Sequence, residues 1–114
     1  DAALVGAWNV GPDDADCVTT GALADLFCRT WGAGVRWETH ADGGPHEAHF
    51  LKLDCSKIKS ELGWKPRWNI AETVEKTVEW AKAWEAGADM RTVTEAQIEA
   101  FLRGIIEQGA KSDE

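Results

Sequence analysis

The segment between Pro66 and Gly87 constrains the fold most, because it carries signals for both ends of one long helix. Pro66 prevents a helix from continuing across it. Asn69 followed by Glu72 forms a capping-box pattern, and Gly87 stands where a glycine commonly ends a helix. The sequence therefore predicts an amphipathic helix from residue 70 to about residue 86. Its inner face carries Ile70, Val74, Thr77, Val78, Ala81 and Trp84.

The first 40 residues have the pattern of a strand, a helix and a second strand. Residues 2 to 11 are mostly apolar and end at a turn, which indicates a buried strand. Thr19 or Thr20 can cap a helix that runs to about Trp31. Residues 35 to 39 alternate between apolar and polar side chains, as a strand does. This order predicts a βαβ unit with two parallel strands.

The remaining elements are shorter. The sequence AHFLKLD, residues 48 to 54, predicts a third strand. Ser56 is the predicted cap of a short helix that Gly63 closes. Thr94 and Gln97 form a second capping-box pattern, which predicts that the last helix begins at Thr94.

Together these elements predict an α/β fold. We expect one domain over residues 1–114, with a small, partly parallel sheet of about three short strands and about four helices. Residues 108–114 are polar and are predicted to be a disordered tail. A chain of 114 residues is long enough for a domain with its own core.

The charge of the chain argues against several classes of partner. Its net charge is −8, and its first basic residue is Arg29, so a nucleic-acid partner is not expected. It contains no long apolar run and no basic signal segment, which argues against a membrane partner. The three cysteines lack a CxxC spacing, and we interpret them as reduced thiols of a cytoplasmic protein.

The sequence has no catalytic or cofactor motif of its own. No glycine-rich phosphate-binding loop follows a predicted strand, so we expect no NAD or ATP site in this chain. Asp13, Asp14 and Asp16 lie together, and we interpret them as a solvated acidic turn rather than a hydrolytic pair. We assign no catalytic residue.

A loop over residues 40–49 is rich in groups that bind metals. Imidazole and carboxylate side chains can hold zinc or another divalent ion. The spacing matches no established metal motif, and an extended backbone would point His46 and His49 to opposite faces. We therefore predict no specific metal site, and a metal-binding module stays an alternative. The candidate ligands are His40, Asp42, His46, Glu47 and His49.

Four stretches in this order resemble the C-terminal part of the CDP-glucose 4,6-dehydratases, of the extended short-chain dehydrogenase/reductase family. They are AWNVGPDD, PHEAHFLKLDCSK, LGWKPRW and AGADMRTVTEAQI, and they span about residues 3 to 103. The resemblance implies that an N-terminal Rossmann domain, which holds NAD and a Tyr-x-x-x-Lys pair, is absent from this chain. The composition agrees independently, because the chain contains no tyrosine.

The resemblance also implies which residues contact a nucleotide sugar. Asn9 matches the asparagine that follows a strand in related dehydratases. The family's diphosphate-binding loop falls on Gly44, Pro45, His46 and Glu47, where glycine replaces the usual arginine. His46 can supply a donor in its place. Arg36 and Arg67 are further candidates, although no motif assigns either of them.

These observations predict that the chain is the CDP-glucose-binding portion of a sugar-nucleotide 4,6-dehydratase-like protein. We expect the chain to be inactive without the NAD half. One alternative is a stand-alone remnant that acts as a binding, structural or self-associating module. In that case the apolar face left by the missing Rossmann domain is covered by a second copy.

Overall fold

The computed structural model describes residues 2–40 and 52–112, with side chains described up to residue 105. Two short 3-10 turns, Ala2–Leu4 and Asp14–Asp16, precede the helices. Within these residues the α-helices are α1 (Thr20–Trp31), α2 (Ser56–Leu62), α3 (Ile70–Glu85) and α4 (Met90–Ser112). In this part of the chain, no helix is both long and apolar enough to cross a membrane.

The predicted α/β fold is wrong, because residues 2–40 and 52–112 contain no β-strand. Residues 5–11, 35–39 and 52–54 are irregular, whereas residues 48–51 of the third predicted strand lie outside the described residues. A strand needs a neighbouring strand to complete its hydrogen bonds. Here side chains take some of those bonds: the Nζ of Lys57 donates to the carbonyl of Ala7 at 3.0 Å.

The predicted N-terminal caps of α1 and α3 are confirmed. The hydroxyl of Thr19 accepts a hydrogen bond from the N–H of Ala22 at the start of α1. The Oδ1 of Asn69 accepts one from the N–H of Glu72 at the start of α3, at 2.9 Å. Each bond satisfies a backbone donor that the first helical turn leaves without a partner.

The start of α2 differs from the prediction. Ser56 is the first helical residue, and its hydroxyl does not cap the helix. Instead, Asp54 accepts hydrogen bonds through Oδ1 from both the backbone N–H and the hydroxyl of Ser56. Gly63 ends α2 as predicted, with a left-handed φ of 62°.

The start of α4 also differs, because the helix begins four residues before Thr94. Asp89 caps it, accepting from the N–H of Arg91 at 3.2 Å and from the hydroxyl of Thr92 at 2.7 Å. Gln97 does not reach back to the helix start. Its Nε2 donates to the carbonyl of Lys76 on α3. The helix continues to Ser112, within the segment predicted to be a tail.

The core is small, and its residues come from the start of α2 and from α3. Its buried members in the described residues are Cys55, Ile58, Val74 and Val78. Helices α1 and α4 pack against α3. At one junction, the Nζ of Lys82 donates to the carbonyl of Trp31 at 2.7 Å. At the other, the indole N–H of Trp80 donates to the hydroxyl of Thr94 at 3.0 Å.

Candidate functional site

Asn9 joins the N-terminal segment to the residues that precede α2. Its Nδ2 donates to the backbone carbonyl of Asp54 at 3.3 Å, across 45 positions of sequence. The other predicted site residues, Gly44, Pro45, His46 and Glu47, lie outside the described residues. The structure therefore places Asn9 beside the segment that follows the predicted loop, and it does not test the contacts of the loop itself.

The side chain of Lys57 on α2 contacts the N-terminal segment at two points. The Nζ of Lys57 lies 4.2 Å from the centre of the Trp8 ring, in addition to its bond to the carbonyl of Ala7. An ammonium group above an indole ring is attracted by the electron density of the ring face. This pair fixes the backbone immediately before Asn9.

The carboxylates of the acidic turn make structural contacts, and the Asp14 side chain is also 87% exposed, as expected for a solvated turn. The Oδ1 of Asp13 lies 2.6 Å from the Nζ of Lys59, and the Oδ1 of Asp14 lies 4.0 Å from the Nζ of Lys52. Asp16 accepts a hydrogen bond from the N–H of Ile70, the first residue of α3. The three carboxylates thus connect the turn to α2, to the segment before it, and to α3.

A cleft of about 340 Å³ opens between this turn and the start of α2, and Asp54, whose carbonyl bonds Asn9, lines it. Its charged groups are two lysines and two aspartates. The hydrogen bond to Asp13 raises the pKa of Lys59, and the hydrogen bonds from Ser56 lower the pKa of Asp54. Both groups therefore stay charged at neutral pH. The lining residues are Pro12, Asp14, Lys52, Leu53, Asp54, Cys55, Ser56 and Lys59.

Neither alternative arginine lines this cleft. The guanidinium of Arg67 lies 5.6 Å from the centre of the Phe101 ring on α4, where it stacks on the aromatic face. Arg36 lines a different cleft, of about 700 Å³, together with Arg29 and Trp37. Among the described residues that line this cleft, Lys52 and Lys59 are therefore the cations available to an anionic ligand.

Most of the proposed metal loop falls outside the described residues. His40 is described, and its Nε2 lies 3.6 Å from the Oε2 of Glu38, with both side chains exposed. Asp42, His46, Glu47 and His49 are not described. Within residues 2–40 and 52–112, no group of three metal-binding side chains comes together.

Sequence reasoning missed the roles of Asp16, Asp54 and Lys59. The signal for Asp54 was present, because an aspartate two residues before a serine commonly accepts hydrogen bonds from that serine. Asp16 and Lys59 carried no local signal. Their partners lie 54 and 46 positions away in the sequence.

Comparison with known proteins identifies relatives of the chain. No family model matches it. It is 42% identical to a CDP-glucose 4,6-dehydratase of Salmonella typhimurium over 95 residues, which are 83% of this chain and 26% of that protein. It is 38% identical to a dTDP-glucose 4,6-dehydratase of Streptomyces antibioticus over 64 residues, 54% of this chain and 17% of that protein.

A third relative is a dTDP-glucose 4,6-dehydratase of Streptomyces niveus, 36% identical over 58 residues. That match covers 51% of this chain and 17% of the relative. The chain thus spans about a quarter or less of the length of the proteins that it matches. Three matches to proteins of one class confirm the resemblance drawn from the motifs, and the chain belongs to the sugar-nucleotide 4,6-dehydratase family as the counterpart of one part of those proteins.

Proposed function

We propose that this chain is the C-terminal, nucleotide-sugar-binding portion of a sugar-nucleotide 4,6-dehydratase, with CDP-glucose as the ligand. The observation that carries the proposal is the 42% identity to a CDP-glucose 4,6-dehydratase over 83% of the chain. The ligand contacts are Asn9 and the loop residues Gly44, Pro45, His46 and Glu47.

The surroundings of Asn9 support this assignment. Its side-chain amide bonds the carbonyl of Asp54, so the N-terminal segment and the segment that follows the loop meet at one place. The cleft beside them offers the ammonium groups of Lys52 and Lys59, which suit the negative charge of a diphosphate. Asp14 and Asp54 balance these charges, so the attraction to a diphosphate is weak.

We further infer that the NAD-binding half of the enzyme is not part of this chain. The sequence contains no glycine-rich dinucleotide loop and no tyrosine. Its three cysteines form no disulfide, which supports a cytoplasmic location. The chain then contributes substrate contacts, and the redox chemistry requires another domain.

Titration of the isotope-labelled chain with CDP-glucose, followed by NMR, tests the proposed site. A site that lacks its other half buries little of the ligand. We therefore expect a dissociation constant of roughly 1 mM, equivalent to about 4 kcal/mol. Chemical shifts should change for residue 9 and for residues 43–48.

A matched pair of histidine variants sharpens this test. His46→Ala removes a proposed ligand contact and should weaken CDP-glucose binding severalfold. His40→Ala removes an exposed imidazole near the same loop and should leave the affinity unchanged. Shift changes confined to other regions, or equal affinities for the two variants, would refute the assignment.

A further inference from the structure

Two arginines, Arg29 and Arg36, form no ion pair in the described part of the chain. This is unexpected in a protein whose acidic residues outnumber its basic residues by 20 to 12. Both arginines are exposed, and both line the cleft of about 700 Å³ beside α1. Most other basic side chains of the described residues contact a carboxylate, a backbone carbonyl or an aromatic ring. They include Lys57, Lys59, Lys76, Lys82, Arg67 and Arg91.

A tight turn after α1 shapes this cleft. Residues 32–34 have positive φ angles of 80°, 55° and 72°, in the region that favours glycine. The N–H of Val35 donates to the carbonyl of Gly32 at 3.2 Å and closes the turn. The chain then returns along α1, where Trp37 reaches Asp25. The turn therefore places residues 35–37 opposite the helix that carries Arg29.

The indole ring of Trp37 forms one wall of the cleft and is held on α1 at two points. Its N–H donates to the Oδ1 of Asp25 at 2.8 Å. A Cβ atom placed on Gly21, one turn earlier, would lie 3.6 Å from the Cζ2 and Cη2 atoms of the ring. Trp37 is nevertheless 42% exposed. An indole that is held in place and partly open is a surface on which a planar ring can stack.

The charged side chains of the cleft are two arginines and one aspartate. Asp25 already accepts the hydrogen bond from the indole of Trp37. Arg29 lies in the last turn of α1, where it also offsets the partial negative charge of the helix end. Arg36 lies beyond the helix and adds further positive charge. Guanidinium groups suit a phosphate, because their N–H donors can bond two of its oxygens at once.

We propose that this cleft binds a small organic phosphate that carries a planar ring. The phosphate lies on Arg29 and Arg36, and the ring stacks on Trp37. The volume of the cleft is in the range of small-ligand pockets. The net charge of −8 disfavours a long polyanion, whereas the local surplus of positive charge admits a single phosphate. The cleft shares no lining residue with the cleft at Asp54, so the two sites have no side chain in common.

Titration of the isotope-labelled chain with AMP, followed by NMR, tests the proposal. AMP supplies one planar ring and one phosphate. We expect a dissociation constant of roughly 0.1 mM. The resonances that should shift are the indole N–H of Trp37 and the amides of residues 28–29 and 34–37. If AMP shifts none of these, or shifts only residue 9 and residues 43–48, the proposal is wrong.

Two partial ligands separate the ring from the phosphate. Adenosine keeps the ring, and ribose 5-phosphate keeps the phosphate, so each should bind at least about tenfold more weakly than AMP. Raising the salt concentration from roughly 50 to 500 mM should weaken the binding of AMP, because salt screens exposed charges. Ribose 5-phosphate that binds as tightly as AMP would refute the stacking on Trp37. Binding of AMP that does not depend on salt would refute the role of the arginines.

A matched pair of arginine variants locates the charge. Arg36→Gln removes an exposed guanidinium from the cleft and should weaken AMP binding at least about fivefold. Arg103→Gln makes the same change at an exposed arginine on α4 and should leave the affinity unchanged. Equal weakening by both substitutions would indicate a general attraction to positive charge and would overturn the proposal. An unchanged affinity of the Arg36→Gln variant would also overturn it.

Discussion

The Oδ1 of Asp16 accepts a hydrogen bond from the backbone N–H of Ile70 at 2.9 Å. Asp16 thereby caps the first turn of α3 from a position 54 residues earlier, while Asn69 caps the same turn locally. A carboxylate is also favourable near the positive end of the helix dipole. We expect Asp16→Ala to lower the free energy of unfolding by about 1 kcal/mol, measured by urea denaturation.

Asp14→Ala is the matched control for this prediction, because it removes the same charge two residues away. Asp14 makes an exposed ion pair at 4.0 Å and caps no helix, so its loss should cost less than about 0.5 kcal/mol. Equal effects of the two substitutions would show that charge, rather than the cap, stabilises α3.

The starts of α1 and α3 and the end of α2 were predictable because their signals are local. Thr19, Asn69 and Gly63 satisfy backbone groups or adopt a conformation within a few residues of their own positions. The predicted strands are absent from the described residues, and local patterns could not show this, since a strand depends on a partner that the sequence pattern does not specify. Residues 35–39 alternate as a strand would, yet the indole N–H of Trp37 bonds Asp25 of α1.

Because Asp13 and Lys59 form an ion pair, we expect the stability that this pair provides to be lost in alkali. Its hydrogen bond raises the pKa of Lys59 above the usual 10.5. A raised folded-state pKa gives stability that is fully present below the unfolded pKa and is lost as the pH rises through the folded one. The melting temperature of Asp13→Asn should therefore lie below that of the unchanged chain at pH 7, and the gap should close above pH 10.5.

The same substitution at Asp14 serves as the comparison. Its carboxylate lies 4.0 Å from Lys52, against 2.6 Å for Asp13 and Lys59. Asp14→Asn should lower the melting temperature less at pH 7. A difference for Asp13→Asn that persists unchanged in alkali would argue against the ion pair as its cause.

Val78 lies in the small core, and its truncation tests how much that core contributes to stability. It is 3% exposed on α3, and Val78→Ala removes two methyl groups from the packed centre. We expect a loss of about 2 kcal/mol in the free energy of unfolding by urea. Val5→Ala is the control, because Val5 is 84% exposed and its loss should change stability by less than about 0.5 kcal/mol.

The isolated chain should not convert CDP-glucose to its 4-keto product when NAD is supplied. The reason is chemical: the sequence has no glycine-rich loop to hold NAD and no tyrosine. The assay measures the 4-keto sugar against a protein-free control, with an intact CDP-glucose 4,6-dehydratase as the positive control. Product above the protein-free level would contradict the assignment of the NAD half to another domain.

The candidate site was predictable only in part. Motif resemblance selected Asn9, and the structure describes its contact with Asp54. The lysines of the adjoining cleft could not be recognised, because their positions relative to Asn9 depend on the folded arrangement of segments far apart in sequence. How strongly these lysines attract an anion also depends on their ion pairs with Asp13 and Asp14. The sequence pattern predicted a solvated turn at these aspartates and did not predict the ion pairs.

The short connection between α3 and α4 has a consequence for the order of folding. The bonds across this hairpin join residues 14 and 21 positions apart, Trp80 to Thr94 and Gln97 to Lys76. The bond from Asp16 to Ile70 closes a span of 54 positions. Closing a shorter loop costs less chain entropy. We therefore expect α3 and α4 to pair first as the chain folds, and the N-terminal segment to dock onto a hairpin that already exists.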